Sequence, residues 1–215
     1  MQVLNFNDCT KQGLGQLFGI QRVMESGILK DWLDAGNQPI NEVEQIVLEE
    51  VRQKAMYAVD DWNEFELFGN LIAFVINIAK LDTPTFRFFG QRDLSAQIND
   101  IELKGKVDGM LATGFQFPKE PYFCLNEYKK SMEYAGDPAG QCLAAMLVAQ
   151  AINNNNTPVY GIYVIGRSWY FLVLDGKNYC VSREFDATES DIFEIVKILK
   201  KLKCIVISLL SNEKK

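Results

Sequence analysis

Three charged residues occupy predicted β-strands at positions where charge is unusual. Asp108 lies within one strand, and Glu127 and Lys129 follow the apolar Phe123 and Leu125 at alternate positions of the next. Alternate residues of a strand share a face, so an apolar face of this second strand ends in an acid and an amine. Because buried charge is costly unless it is paired or bound to a metal, we expect these groups to meet a ligand or each other.

These residue types suit the hydrolysis of a phosphodiester bond. That reaction needs neutralisation of the phosphate charge, an activated water molecule and help for the leaving oxygen. Two carboxylates on adjacent strands can hold Mg²⁺, which takes few protein ligands and keeps several waters. We therefore expect Asp108 and Glu127 to bind the metal, and Lys129 to orient or deprotonate the water or to stabilise the transition state.

The composition narrows the chemistry by one absence, since the 215 residues include no histidine. This excludes Ser-His-Asp hydrolysis, Cys-His proteolysis and metal sites built from histidine. The five cysteines are scattered and lack Cys-x-x-Cys spacing, which argues against a disulfide framework and against a zinc cluster. The remaining chemistry must use carboxylates, lysines, tyrosines or a metal held by oxygen atoms.

The charge balance bears on the partner. Lys and Arg number 22 against 28 Asp and Glu, and the net charge of -6 disfavours non-specific attraction to nucleic acid. A nuclease would need a local basic patch, for which the candidates are Lys104, Lys106, Lys119, Lys130, Arg167 and Lys177. No apolar run is long enough to span a bilayer and no signal peptide is evident, so we expect a cytoplasmic protein without a membrane partner.

Three helices are predicted in the first part of the chain. Hydrophobic periodicity predicts one helix over residues 11–34 and a second that begins at Asn41, where Glu44 completes a capping box. A third, strongly apolar helix is predicted over residues 60–80. The apolar stripe of the second helix is predicted to consist of Val43, Ile46, Val47, Val51 and Met56.

Two positions outside the strands are candidates for the carboxylate site. Glu64 and Glu66 fall in the first turns of the third predicted helix, where the helix dipole alone explains either acid. We choose Glu64 as the acid that reaches the site, with Glu66 as the alternative. Asp137 and Pro138 begin a later, alanine-rich helix, and its first turn carries Gln141.

Strand signals dominate the rest of the chain. Strands are predicted at residues 86–89, 101–112, 121–130, 159–165, 168–174 and 177–182, the last three being antiparallel. A final helix is predicted to begin at Thr188, with Asp191 completing a second box-like start. The apolar residues 204–210 are predicted as a further core strand, with a homodimer contact as the alternative.

This order of elements and residues resembles the PD-(D/E)XK nuclease superfamily over about residues 62–165. Asp108 stands in Lys-Val-Asp-Gly, without the proline that often precedes the motif aspartate, and Glu127 with Lys129 matches the Glu-x-Lys pair. Gln141 looks like the glutamine that such nucleases often place on the following helix. The resemblance implies a Mg²⁺ cofactor, which Mn²⁺ can replace, with Asp108, Glu127 and Glu64 as its ligands.

More narrowly, residues 62–64, 105–108, 121–129 and 160–167 are similar to a group of uncharacterised bacterial proteins within that superfamily. The resemblance implies an α/β, restriction-endonuclease-like fold: a mixed central sheet flanked by helices. Residues 1–60 would form a helical N-terminal extension packed on a nuclease-like domain of residues 61–215.

The function implied is that of a Mg²⁺-dependent nuclease, with DNA favoured over RNA as the substrate. One alternative is a catalytically silent module of the same fold that serves binding or assembly, because a fold does not determine a function. The other is purely structural, with the charges acting as ordinary ion pairs on the surface of an α/β domain.

Overall fold

A mixed sheet of nine strands forms the centre of the protein in the computed structural model, which describes residues 2–128, 136–155 and 157–212. The strands are β1 (Gln2–Asn5), β2 (Gln21–Arg22), β3 (Phe86–Ile98), β4 (Ile101–Thr113), β5 (Pro121–Tyr128), β6 (Val159–Ile165), β7 (Ser168–Asp175), β8 (Asn178–Val181) and β9 (Phe185–Asp186). Their order across the sheet is β1-β4-β5-β6-β7-β8-β2, with β3 paired to β4 and β9 paired to β7.

Helices cover both faces of this sheet. They are α1 (Lys11–Phe18), α2 (Gly27–Leu33), α3 (Glu42–Ala58), α4 (Glu64–Leu67), α5 (Ala73–Ala79), α6 (Pro138–Asn153) and α7 (Asp191–Asn212), together with a 3₁₀ turn (Phe6–Asp8) and a π-helical segment (Phe68–Ile72) that joins α4 to α5. The predicted α/β class, with a mixed sheet flanked by helices, is confirmed. No helix in the described part of the chain is long and apolar enough to cross a membrane.

Three parallel pairings give the sheet its mixed character. β1 pairs with β4, β5 with β6, and β2 with β8 in parallel, whereas the other neighbours are antiparallel. The connection from β5 to β6 contains α6, as a parallel crossover requires. α6 lies against β5 and β6, and its residues 139–149 are all buried. A side chain at Gly161 would meet the sulfur atom of Met146 at 2.5 Å, so glycine there permits the close approach of α6.

The two faces of the sheet support separate apolar clusters. Leu111, Phe123 and Phe171 contribute to the cluster that also contains buried residues of α2, α3, α5 and α7. Met110 and Cys124, their chain neighbours, belong to the cluster formed with α1, α6 and the 3₁₀ turn. This division follows from the alternation of side chains along a strand.

The prediction of one helix over residues 11–34 is wrong. α1 ends at Gly19, whose φ of 71° is the left-handed conformation that favours glycine at a helix end. The chain then adds β2 to the sheet beside β8, and α2 begins after the capping residue Ser26. With β1 and β2 both paired in the sheet, the N-terminal part of the chain is not purely helical, and the division at residue 60 stays a prediction.

The predicted start of α3 is confirmed, but its predicted apolar stripe is largely wrong. Asn41 and Glu44 form the capping box expected from the sequence. Val43, Ile46 and Met56 are exposed, whereas Leu48, Val51 and Ala55 are buried together with the carboxylate of Glu44. The buried stripe includes an acid, which a search for apolar periodicity passes over.

Three further predictions of element boundaries need correction. The predicted third helix begins one turn late, after the cap Asn63, and contains the π-helical segment. β3 extends to Ile98, far beyond the predicted residue 89, because pairing with β4 holds its second half in the sheet. The sequence pattern missed this half because it is mainly polar. Residues 204–210 belong to α7 and are not a strand, since Leu199, Leu202 and Val206 continue its buried stripe at helical spacing.

Candidate active site

A cavity of about 1160 Å³ opens beside β4 and is also lined by α4, α6 and the 3₁₀ turn. Three of the five residues selected from the sequence as catalytic lie in its wall, namely Glu64, Asp108 and Gln141. They come from three separate elements that are distant along the chain. The cavity is therefore the place where their chemistry would combine.

Asp108 is half-buried in β4 and is held by a neighbouring strand. The Nε2 atom of Gln91 donates a hydrogen bond of 2.8 Å to Oδ1 of Asp108. The ladder of β3 and β4 pairs Gly90 with Gly109 and Arg92 with Val107, so Gln91 and Asp108 stand opposite each other between these two pairs. The contact thus joins two side chains at equivalent positions of one hairpin.

In both strands of this hairpin, the alternation of side chains between the two faces of the sheet is interrupted at the same point. Val107 and Met110 pack in the same apolar cluster, although residues three apart in a regular strand point to opposite faces. Phe89 and Leu94, which are five apart on β3, also share that cluster. Local irregularities of this kind redirect side chains and are frequent beside active sites.

The backbone at this point is unusual in two ways. Gln91 has a φ of 52°, a left-handed conformation that is uncommon for a residue with a side chain. Gly109 lies under the ring of Phe88, and a Cβ atom there would approach the ring carbon Cζ to 2.2 Å. Glycine beside Asp108 therefore leaves room for Phe88, and the hairpin accepts a strained residue opposite the acid.

The two acids of α4 have different surroundings. Glu66 closes a capping box, in which the backbone N–H of Asn63 donates to Oε2 of Glu66 at 2.8 Å and Oδ1 of Asn63 accepts from the Glu66 N–H at 3.0 Å. Glu64 lies two residues earlier and lines the cavity. The geometry therefore assigns the cap to Glu66 and leaves Glu64 as the acid of α4 in the cavity wall.

Gln141 is buried and is positioned by the start of α6. Oδ1 of Asp137 caps this helix by accepting from the N–H of Gly140 at 3.1 Å. Lys11 donates its backbone N–H to Asp137 at 2.8 Å and its ammonium group to the same carboxylate. Burial alone would raise the pKa of Asp137, but the hydrogen bonds from Lys11 and Gly140 outweigh it and lower that pKa below its usual value. The N-terminal part of the chain thus holds the first turn of α6, and with it Gln141.

The third predicted ligand is described only through its backbone. Glu127 lies in β5, which pairs with β4 as far as Leu125 opposite Gly109 and with β6 at Val164 opposite Glu127. The side chains of residues 125–128, and Lys129 and Lys130 entirely, lie outside the described part of the structure. The roles of Glu127 and Lys129 stay predictions.

Several residues of the cavity wall were not selected from the sequence. Asn5 and Asp8 reach the cavity because β1 pairs with β4, and Nδ2 of Asn5 donates to Asp8 at 3.2 Å. Gln91 reaches it from β3, and Phe65 is an aromatic residue of the wall whose surface is 85% exposed. The polar residues of β3 next to the strand with Asp108 were the available sequence signal for Gln91. Asp8 had no local signal, because it reaches the cavity through the long-range pairing of β1 with β4.

The donor atoms in this cavity are those that Mg²⁺ prefers. Asp8, Glu64 and Asp108 supply carboxylates, and Asn5 and Gln141 supply amide oxygens. Among the described residues, no three side chains of Asp, Glu, Cys or His are close enough together to hold one ion. Because Mg²⁺ is usually bound through one or two carboxylates and retained waters, Asp108 with either Glu127 or Glu64 would be a sufficient set.

The basic residues proposed for phosphate binding do not gather at this cavity. Of those that the structure describes, Lys106 lines it, whereas Lys104 lies 3.8 Å from Glu102 and Arg167 is paired with Asp60. Lys119 belongs to the β4–β5 connection and the ammonium of Lys177 lies beside Gly19. The described cavity wall therefore offers little electrostatic attraction for a nucleic acid, in keeping with the net charge of -6.

Comparison with models of known protein families gave no match for this chain, and comparison with curated proteins gave none either. The fold and the site define a mixed α/β protein with a nine-stranded sheet and an acid-lined cavity beside β4. Membership of the nuclease superfamily stays a prediction based on the sequence motifs.

Proposed function

We propose that this protein is a Mg²⁺-dependent nuclease with a restriction-endonuclease-like fold, which hydrolyses phosphodiester bonds in DNA in preference to RNA. One observation carries the proposal: Glu64, Asp108 and Gln141 were selected from separate sequence segments, and all three line the same cavity. Two acids and an amide chosen at random on three elements would have no reason to meet. Their order along the chain resembles that of the PD-(D/E)XK superfamily.

The proposed roles follow from the chemistry of each side chain. Asp108 and Glu127 would hold the metal, with Glu64 as a further ligand, directly or through water. When bound, Mg²⁺ supplies neutralisation of the phosphate charge and a more acidic water. Lys129 would orient the attacking water or receive its proton, and the amide of Gln141 would donate to a phosphate oxygen or to that water.

Three further residues of the wall suit a nucleic acid. Lys106 can pair with a phosphate beside the scissile one. Phe65, which is 85% exposed, and the half-buried Phe68 offer apolar rings on which a base can stack. Stacking requires an unpaired base, so this wall favours single-stranded or frayed substrates over an intact duplex.

The direct test is cleavage of single-stranded, double-stranded and structured oligonucleotides by purified protein with Mg²⁺ or Mn²⁺. Wild type should cleave, and Asp108→Asn and Lys129→Ala should each lose about 100-fold or more in rate. Asp100→Asn, which alters an exposed acid in the turn of the same hairpin, should cleave as wild type does. Equal cleavage by wild type and Lys129→Ala would attribute the activity to a contaminant and overturn the proposal.

A second function, a catalytically silent binding or assembly module, is favoured by the distribution of the basic side chains. Of the candidate basic residues that the structure describes, Lys106 alone lines the cavity, and one cation is poor support for phosphate binding. A Mn²⁺ titration followed by thermal unfolding separates the two functions. A rise in melting temperature for wild type but not for Asp108→Ala supports the nuclease, and no rise in either supports the module.

A further inference from the structure

We propose that Gln91 is a positioning residue for Asp108, whose carboxylate it orients for metal binding through its side-chain amide. This inference rests on the metal site of the proposed function. Gln91 lies outside the motifs that suggested that site, and it contacts the acid, not the metal. Residues that hydrogen-bond to metal ligands fix the orientation of those ligands and tune the affinity of the site.

The first support is the contact itself. Nε2 of Gln91 lies 2.8 Å from Oδ1 of Asp108, a normal distance for an N–H donor and a carboxylate oxygen. A donor on one oxygen restricts rotation of the carboxylate about its terminal torsion, which is otherwise broad. Both residues line the same cavity, so the amide acts within the site.

The second support is the backbone of Gln91. Its φ of 52° is a conformation that glycine adopts without cost and glutamine does not. Gly90 precedes it in the chain, yet the strained position carries the long amide side chain. Strain of this kind persists where the surrounding structure imposes it, and it concentrates at functional sites.

The third support is the change of face in the hairpin. Val107 and Met110 show that β4 turns over around Asp108, and Phe89 and Leu94 show that β3 turns over opposite it. Gln91 and Asp108 face each other between the pairs on either side of this point. Opposite residues of any antiparallel pair share a face, and here the irregularity of both strands redirects this donor–acid pair at the cavity wall.

The hairpin offers a matched control. Asn99, in the turn between β3 and β4, also has a left-handed backbone, with a φ of 55°, and it does not line the cavity. Gln91→Gly and Asn99→Gly therefore place glycine at the same kind of backbone position, but only the first removes the amide from Asp108. Asn99→Gly should melt close to wild type, because asparagine is itself tolerated in this conformation, and in Gln91→Gly the relief of strain should offset the lost hydrogen bond.

The test is calorimetric titration of Mn²⁺ into the full chain, with unfolding followed in parallel. Gln91→Gly and Gln91→Asn, whose amide is one methylene shorter and stops short of hydrogen-bond distance to Asp108, should each bind Mn²⁺ about 10- to 100-fold more weakly than wild type. Asn99→Gly should bind as wild type does. Asp108→Ala should show no binding at the site.

The outcomes separate this inference from the one it rests on. Unchanged or tighter Mn²⁺ binding by Gln91→Gly, with normal loss in Asp108→Ala, overturns the role of Gln91 and leaves the metal site standing. An absence of Mn²⁺ binding by wild type overturns the metal site and the positioning role together. A loss of thermal stability with unchanged affinity would assign the contact to the hairpin alone.

Discussion

Glu44 is the one buried carboxylate among the residues that the structure describes. It has 8% of its surface exposed and lies 2.8 Å from the ammonium of Lys80 and 2.6 Å from that of Lys200. Burial alone would raise the pKa of Glu44, but the hydrogen bonds from Lys200, Lys80 and the backbone of Asn41 outweigh it and lower the pKa to about 2. The pair of lysines joins the start of α3 to α5 and α7.

Glu44→Gln should therefore cost stability in a pH-dependent manner. A carboxylate whose pKa falls on folding stabilises the protein above its unfolded value of 4.5, and this stabilisation is lost as the pH falls towards 2. We expect a loss of about 1–3 kcal/mol at pH 7 that shrinks below pH 4.5, measured by urea unfolding. The control is Glu42→Gln, which alters an exposed acid two residues earlier in the same helical turn. A loss that stays constant from pH 7 to pH 3 would contradict the ion-pair explanation.

Glu64 and Glu66 should respond to substitution in opposite ways. Glu66→Ala removes the capping box and should lower the free energy of unfolding by about 1 kcal/mol with cleavage unchanged. Glu64→Ala should leave stability within about 0.5 kcal/mol and should reduce cleavage or Mn²⁺ affinity. Paired unfolding and cleavage assays check both. If Glu66→Ala lost activity and Glu64→Ala did not, the choice between the two acids would be reversed.

The contact between α6 and the N-terminal segment depends on Gly140. A Cβ atom there would lie 2.7 Å from the carbonyl oxygen of Cys9 and 2.8 Å from Cα of Thr10, both of them backbone atoms that cannot rotate away. This closeness is what allows Lys11 to reach the cap Asp137. The position of α6, and of Gln141 on it, is therefore set by a glycine.

Gly140→Ala should destabilise the protein, although alanine is the better helix former. Helix propensity alone would stabilise by up to about 1 kcal/mol, whereas the clash should cost about 1–3 kcal/mol, so the sign of the change identifies the contact. Gly69→Ala has nothing within 4 Å of the added atom and should be neutral or stabilising. Unfolding by urea measures both, and a stabilised Gly140→Ala would show that α6 moves freely against the segment.

Sequence reasoning predicted well the elements whose residues carry the signal within their own segment. β4 and β6 were placed to within one residue, and the start of α6 follows from the Asp137 cap and Pro138. β1, β2 and β9 were missed because each has only two to four residues, and partners far along the chain hold them in the sheet. The β-propensity of two to four residues is too weak a signal to predict a strand.

The same distinction explains which parts of the candidate site were found. Asp108 and Gln141 stand in motifs whose order can be read along the chain. Gln91 could not be identified, since its contact depends on a change of face that occurs in two strands together. Asp8 depends on the parallel pairing of β1 with β4, which no local pattern announces.

If the protein binds nucleic acid as proposed, the salt dependence of that binding should show that few of its cations contact phosphates. With a net charge of -6 and Lys106 as the described cation of the cavity, we expect a slope of log affinity against log salt of about -3 or shallower. Lys106→Gln should make the slope shallower by about one. Fluorescence anisotropy of a labelled oligonucleotide measures it, and Lys177→Gln is the control. A slope steeper than about -5 would mean that a basic surface elsewhere carries the binding.

The pairing of Gln2 with Ile101 has a consequence for synthesis on the ribosome. β1 leaves the exit tunnel before its partner β4, which follows about a hundred residues later, about 5 to 20 seconds at usual elongation rates. During that interval the ring of Phe6, which finally rests on Gly105, has no native contact on β4. The cavity wall therefore forms only after β4 has emerged, and a chaperone that shields β1 and the 3₁₀ turn would act within that interval.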